Sequence, residues 1–158
     1  MGANLGDPEA QLAAALRRLG ESLGELEIAS LYRTAPVGPI PQPDFLNTAA
    51  TGATTLEPEE LLALAKALEQ AAGRAPGPRL GPRPLDVDLL LYAERTADAP
   101  ELTLPHPGLA HRRFVLVPLA EIAADWPVPP HGKTVAQLLA ETEDRSRVEK
   151  VGWAISLP

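Results

Sequence analysis

Leu85-Asp86-Val87-Asp88-Leu89-Leu90-Leu91-Tyr92 is the stretch on which the reading of this chain turns. Its aliphatic run, bounded by Pro84 on one side, is the pattern of a buried strand with two carboxylates set into it. Residues i and i+2 of a strand face the same side, about 6.6 Å apart. Asp86 and Asp88 therefore share a face. Two anions on one face repel, and burying them is costly without a cation beside them. Mg²⁺ suits such a pair, because it takes one or two carboxylates and completes its shell with water and phosphate oxygens. The plainer reading of a lone D-x-D is a strand face open to solvent. Here the three leucines that follow imply a central strand and favour a metal site.

Working outward, residues 74–84 form a stiff loop carrying Pro76, Pro78, Pro82 and Pro84. Before it, Pro58 opens a helix marked by Leu61, Leu62, Leu64 and Leu68, which Gly73 terminates. Residues 45–55 and 26–34 read as strands, separated by an extended loop with Pro36, Pro39, Pro41 and Pro43. Asp7-Pro8-Glu9 caps a first helix whose Leu12, Leu16 and Leu19 fall at helical spacing, with Gly20 as its end. Beyond the central stretch, residues 114–124 and 135–143 read as helices. Val151, Trp153, Ile155 and Leu157 alternate like a closing strand. The order is most of a βαββαβ pattern, an α+β sandwich of helices on one antiparallel sheet.

Composition narrows the function. The chain has 158 residues, 45% hydrophobic and 22% charged, which fits one domain spanning residues 1–158. No run of eighteen apolar residues occurs, so no helix spans a membrane, and no signal-like opening is visible. Cysteine is absent, which removes disulfides, thiolate metal sites and cysteine nucleophiles. A net charge of −7 argues against a nucleic-acid binder that relies on bulk positive charge. The expectation is a cytoplasmic protein acting on small molecules, with no nucleic acid, membrane or obligate protein partner.

The basic residues are not scattered. Residues 74–83 hold Arg74, Arg79 and Arg83 and no acid, and a second knot contains His106, His111, Arg112 and Arg113. Arginine suits bidentate phosphate contact, so carboxylates for Mg²⁺ beside two such clusters point to a polyphosphate site. The competing reading makes these surface arginines paired with Glu and Asp. Neither G-x-x-x-x-G-K-[ST], G-x-S-x-G nor H-E-x-x-H occurs, and the three histidines are too dispersed for a zinc triad. Gly2-Ala3-Asn4-Leu5-Gly6-Asp7 turns into a helix N-terminus, a weak anion signal by itself.

Five blocks in order carry a resemblance: Gly2-Ala3-Asn4-Leu5-Gly6-Asp7, Tyr32-Arg33-Thr34-Ala35-Pro36-Val37-Gly38, Gln42-Pro43-Asp44-Phe45-Leu46-Asn47, Gly81-Pro82-Arg83-Pro84-Leu85-Asp86-Val87-Asp88 and Leu104-Pro105-His106. Over nearly its whole length the chain resembles the 6-hydroxymethyl-7,8-dihydropterin pyrophosphokinases of folate biosynthesis. The resemblance implies a ferredoxin-like fold. It also implies transfer of the β,γ-pyrophosphoryl unit of ATP to the pterin hydroxymethyl group, with two Mg²⁺ ions and release of AMP. By position, Asp86 and Asp88 match the metal-binding aspartates. Glu69, Arg74, Arg83, His106 and Arg112 match ATP contacts, with Arg83 and Arg112 offsetting charge on the transferring group. Thr34, Ala35, Val37, Phe45, Asn47 and Phe114 match the pterin pocket, with the ring between Phe45 and Phe114. A flat heterocycle suits two aromatic faces, and aromatics are only 4% of the chain.

The chain departs from the family at Leu80, where a Trp is usual, and at Pro76, Gly77 and Pro78, where basic residues are common. The opening strand is nearly absent, since only Met1 precedes Gly2. Two fillers are open for that central slot: residues upstream of Met1, or the alternating run from Val151. The simpler expectation for the latter is an added edge strand. Two rival functions remain on sequence grounds. One is a metal-dependent phosphohydrolase, which leaves Phe45, Asn47 and Phe114 without a role. The other is a silent ligand-binding module, which leaves the two aspartates unexplained.

Overall fold

The computed structural model describes residues 1–152. Strand β1 (Gly2–Ala3) leads into helix α1 (Pro8–Leu23), then β2 (Leu26–Ile28) and β3 (Leu31–Thr34). Next come β4 (Phe45–Asn47), β5 (Ala50–Gly52) and α2 (Pro58–Ala71). The hairpin of β6 (Ala97–Asp98) and β7 (Thr103–Leu104) precedes α3 (Arg113–Ala123). The hairpin of β8 (Pro127–Val128) and β9 (Lys133–Thr134) then leads to α4 (Val135–Glu141) and β10 (Val148–Gly152).

The helices start where the sequence caps them. Asp7 accepts the Ala10 N–H at 3.1 Å with Pro8 behind it, and Glu57 and Glu60 form a reciprocal capping box ahead of α2. Helix α1 runs past Gly20 and stops at Gly24, where φ is +67°. An interior glycine costs a helix only about 1 kcal/mol, so Gly20 is tolerated and the left-handed turn at Gly24 is the stop. Gly73, with φ +84°, follows α2 as expected.

The main sheet has the order β1-β4-β3-β10, all antiparallel, and Asp86 bridges Gly2 on the far side of β1. The Asp86 segment, β1, β4 and β3 thus make the 4-1-3-2 order of a ferredoxin-like sheet, with β1 central. Beyond the Asp86 bridge, the stretch expected as the strongest strand forms no ladder. Gly2 and Asp86 exchange backbone hydrogen bonds of 2.9 and 2.8 Å, and β1 then ends, so residues 88–92 find no strand to pair with among the described residues. The alternation survives nonetheless. Leu85 and Val87 are buried, while Asp86 is half-buried and Asp88 exposed.

The expected strands 26–34 and 45–55 are each broken, at Ala29-Ser30 and Thr48-Ala49, which separates a β2–β5 ladder from the main sheet. Side chains satisfy the backbone at the break. Thr48 Oγ1 donates to the Ala29 carbonyl at 2.9 Å, and Glu121 of α3 accepts both the Ser30 N–H at 3.0 Å and its hydroxyl at 2.6 Å. Strand β10, which takes in only Val151 of the alternating run, adds an edge beside β3. Val148–Gly152 therefore does not fill the slot beside β1, and Trp153, Ile155 and Leu157 lie outside the described residues.

Two cores flank the sheet. Leu12, Ala15, Leu31, Leu68, Leu85 and Val87 pack between α1, α2 and one face. Leu109, Leu116, Leu119, Val135 and Leu138 join α3 and α4 around Ala29 and Ala49. Because Leu31 belongs to the first core while Tyr32 donates its hydroxyl to Glu121, Tyr32 and its cross-strand neighbours face α3. Among the described residues, no helix is long and apolar enough to cross a membrane.

Candidate functional site

Register assembles the site. Asp86 lies opposite Gly2, Gly2 opposite Asn47, and Asn47 opposite Tyr32, so these four form one row on the face that Tyr32 turns toward α3. Phe45 opposes Thr34 in the adjacent row, and the chain entering α3 adds Arg112 and Phe114. Together they enclose a cavity of about 90 Å³ lined by Gly2, Thr34, Ala35, Val37, Phe45, Asn47, Leu80, Arg83, Asp86, Asp88, Arg112 and Phe114. All six residues matched to a pterin pocket are there, as are Asp86, Asp88, Arg83 and Arg112.

Close approach at the floor requires Gly2. A Cβ there would sit 2.3 Å from Asn47 Oδ1. Thr34 and Asn47 are buried, and Asn47 Nδ2 donates to Thr34 Oγ1 at 2.6 Å, which fixes the amide while leaving its second hydrogen free. The proline loops are pinned from below. Asn4 donates to Gln42 Oε1 and the Pro43 carbonyl, and its own Oδ1 accepts the Arg83 N–H at 2.9 Å. Gln42 in turn donates to the Leu80 carbonyl at 2.7 Å. Leu80 holds φ +63°, a conformation that costs a branched residue energy, and its Cδ1 packs over Gly38.

Charge is concentrated at one end of the cavity. Arg74 Nη1 contacts Asp86 Oδ1 at 2.7 Å and Glu69 Oε1 at 2.6 Å, while Arg83 Nη1 lies 3.1 Å from Asp86 Oδ2. Burial pushes the Asp86 carboxyl up, but Arg83 and Arg74 outweigh it and hold the group below the ordinary aspartate value. Asp88 is more open, with His106 Nε2 3.6 Å from its Oδ1. His106 Nδ1 accepts the Gly108 N–H at 3.0 Å, which leaves the ring proton on Nε2, facing Asp88. Arg112 stacks on Phe114 at 5.9 Å and passes so near Gly108 that a Cβ would meet its guanidinium carbon at 2.8 Å.

Among the described residues, no group of three or more His, Asp or Glu could hold a metal by protein ligands alone. Two carboxylates at an open cavity fit Mg²⁺, which leaves most of its positions to water and phosphate. Three of the residues matched to ATP contacts stand outside the cavity. Arg74 and His106 flank it through Asp86 and Asp88. Glu69 is buried, only 4% exposed, and accepts the Val87 N–H at 2.9 Å from beneath. The sequence analysis gives Asn4 and Gln42 no role as anchors and reads the Gly2–Asp7 turn as a weak anion signal only. The signal available was their place in the recurring blocks. Asp7 itself is occupied as the cap of α1.

A family model described as 7,8-dihydro-6-hydroxymethylpterin-pyrophosphokinase matches residues 1–124. Among its relatives are three proteins named 2-amino-4-hydroxy-6-hydroxymethyldihydropteridine pyrophosphokinase. The one from Synechocystis is 43% identical over 145 residues, covering 90% of this chain and 74% of its own length. That from Pseudomonas aeruginosa is 41% identical over 143 residues, covering 89% and 87%. That from Methylorubrum extorquens is 41% identical over 153 residues, covering 96% and 95%.

Proposed function

Because the chain belongs to the 7,8-dihydro-6-hydroxymethylpterin-pyrophosphokinase family, we propose that it transfers pyrophosphate from ATP to 6-hydroxymethyl-7,8-dihydropterin, giving AMP and the pterin diphosphate for folate biosynthesis. One observation carries the reading. A single cavity is lined by two aromatic rings, an oriented amide, two carboxylates and two guanidinium groups.

Phe45 and Phe114 supply apolar faces for a flat ring, and Asn47 with the backbone of residues 34–37 reads its edge. Asp86 and Asp88 would hold Mg²⁺, two ions in this reading, which would offset charge on the phosphate oxygens. Arg83 and Arg112 stabilise the negative charge of the transferring group, while Arg74 and His106 face the same charge from the flank. Glu69 holds the segment between the two aspartates rather than touching nucleotide. The pterin hydroxymethyl oxygen attacks the β-phosphorus, the bond from that phosphorus to the α–β bridging oxygen breaks, AMP leaves, and the hydroxyl proton passes out. An aspartate near that hydroxyl is the candidate to take it. Catalysis is then mostly alignment and charge.

The whole chain, residues 1–158, is read as one such unit, supported by Val135 and Leu138 of α4 packing in one core with Leu116 and Leu119. The reading places it in the cytoplasm with small molecules as its partners, no nucleic acid, no membrane and no obligate protein partner. Its net charge of −7 supports the exclusion of nucleic acid. The test is AMP formation from ATP and Mg²⁺. AMP that appears only when the hydroxymethyl-dihydropterin is added supports the transferase; AMP without it supports the phosphohydrolase, and none at all the silent module.

A further inference from the structure

Helix α3 begins without a cap of its own. Its N-cap position is held by Arg112, whose side chain makes no capping hydrogen bond but lies over the Phe114 ring and lines the charged cavity. An arginine side chain has no acceptor, so the free N–H groups of the first turn need one from elsewhere. Asp144 supplies it from 31 residues further along the chain. Its Oδ2 accepts the Arg113 N–H at 2.7 Å, and its Oδ1 accepts the Ser146 N–H at 2.8 Å. Arg113 Nη1 returns a hydrogen bond to the Ser146 carbonyl at 3.2 Å. Burial pushes the Asp144 carboxyl up, but the N–H groups of Arg113 and Ser146 outweigh it and hold the group below the ordinary aspartate value. The helix dipole favours a carboxylate at this end as well.

The segment that carries Asp144 also holds the opposite wall of the cavity. The Arg147 carbonyl accepts the Ala35 N–H at 3.3 Å, and Val148 opposes Thr34 where β10 joins β3. Arg147 Nη2 reaches Asp44, the residue before Phe45, at 2.6 Å. That pair is exposed and contributes little by itself. Residues 144–148 thus bond to Arg113, between Arg112 and Phe114, on one side and to Thr34, Ala35 and Asp44 on the other. None of these five residues is among those that line the cavity. All of them lie beyond residues 1–124, the stretch that matches the family model.

We propose that Asp144 is a positioning residue for the transfer: by capping α3 from outside the helix, it holds Arg112 and Phe114 against the wall of Thr34, Ala35 and Phe45. Its reaction rests on the transferase reading above, and its geometry on the hydrogen bonds alone. Because the cap comes from Asp144, a residue that accepts nothing can stand at the N-cap position with its guanidinium in the site. The spacing of the two walls matters to a flat ring held between them. A misplacement of about 1 Å in a positioned group can cost about a hundredfold in rate.

The test compares the wild-type chain with Asp144→Ala, Asp144→Asn and Thr134→Ala, each well below its thermal midpoint. Thr134 caps α4 by accepting the Gln137 N–H at 3.2 Å and does not line the cavity, so its loss removes a cap of the same kind elsewhere. Phe45 and Phe114 are the only phenylalanines of the chain. Incorporated para-fluorophenylalanine therefore gives one fluorine NMR signal for each wall, assigned with Phe45→Tyr. Asp144→Ala is expected to shift the Phe114 signal and to raise KM for both ATP and the pterin about fivefold. Asp144→Asn keeps an acceptor for the Arg113 N–H and should recover most of both effects. Thr134→Ala should lower the midpoint but leave the signals and both KM values unchanged. An unmoved Phe114 signal or unchanged KM values in Asp144→Ala overturn the proposal. So do KM values raised equally by Thr134→Ala, or no recovery in Asp144→Asn. The ring signals need no turnover: a wild type that forms no AMP refutes the reaction, while the Phe114 signal still decides whether Asp144 positions that wall.

Discussion

Asp86 and Asp88 differ in surroundings, and the difference predicts separable behaviour. Asp88 is exposed, with His106 Nε2 3.6 Å from its carboxylate, so Asp88→Ala is expected to move the thermal midpoint little, by about 0.5 kcal/mol or less in stability. Turnover should fall by orders of magnitude, and retention of more than a tenth of it removes Asp88 from the metal site. Asp86 carries Arg74 and Arg83. Because those guanidinium groups outweigh burial and depress its pKa, it contributes stability above its unfolded value of 3.8 and loses it as pH falls through the lower folded value. Urea unfolding at pH 7 and near pH 3 should show a smaller acid loss for Asp86→Asn than for wild type; identical losses count against the pairing. Gly108 sets a third expectation. An added Cβ would sit 2.8 Å from the Arg112 guanidinium, so Gly108→Ala should displace that side chain. Steady-state kinetics should then show KM for ATP raised severalfold with pterin KM nearly unchanged.

Among the elements, α2 reaches the site through one buried carboxylate. Glu69 accepts the N–H of Val87, the residue between the two aspartates, and pairs with Arg74. Glu69→Ala leaves a buried donor unsatisfied, at about 1–3 kcal/mol. Glu69→Gln keeps an acceptor and should recover much of that loss, as read by denaturant unfolding. The same element level explains what sequence could and could not disclose. The caps at Asp7 and Glu57, the core-facing leucines and the alternation of residues 85–88 are local signals, and they survive folding. The breaks at Ala29-Ser30 and Thr48-Ala49 are not local, since Ser30 is bonded by Glu121, far along the chain, and Thr48 bonds across to Ala29. Residues 88–92 carry a strand pattern but have no pairing strand among the described residues, and pairing cannot be read from one strand. At the site, nine of the twelve cavity-lining positions fall within the five blocks, while Leu80, Arg112 and Phe114 lie outside them. The burial of Glu69 beneath Val87 is invisible in the sequence, which matched it only to an ATP contact.

For the whole molecule, the two cores and the row Asp86, Gly2, Asn47, Tyr32 place an aromatic, hydrogen-bonding end and a charged end in one cavity. An overall charge of −7 would repel a polyphosphate, so productive binding has to rely on the local arginines and on Mg²⁺. The central claim is that two phosphates move together from ATP to the pterin alcohol. Incubation with Mg²⁺, hydroxymethyl-dihydropterin and ATP carrying a radioactive β-phosphate tests it directly. The label is expected in the pterin diphosphate, with unlabelled AMP formed in equal amount. Label found in ADP or in free phosphate or pyrophosphate, with the pterin unlabelled, contradicts it.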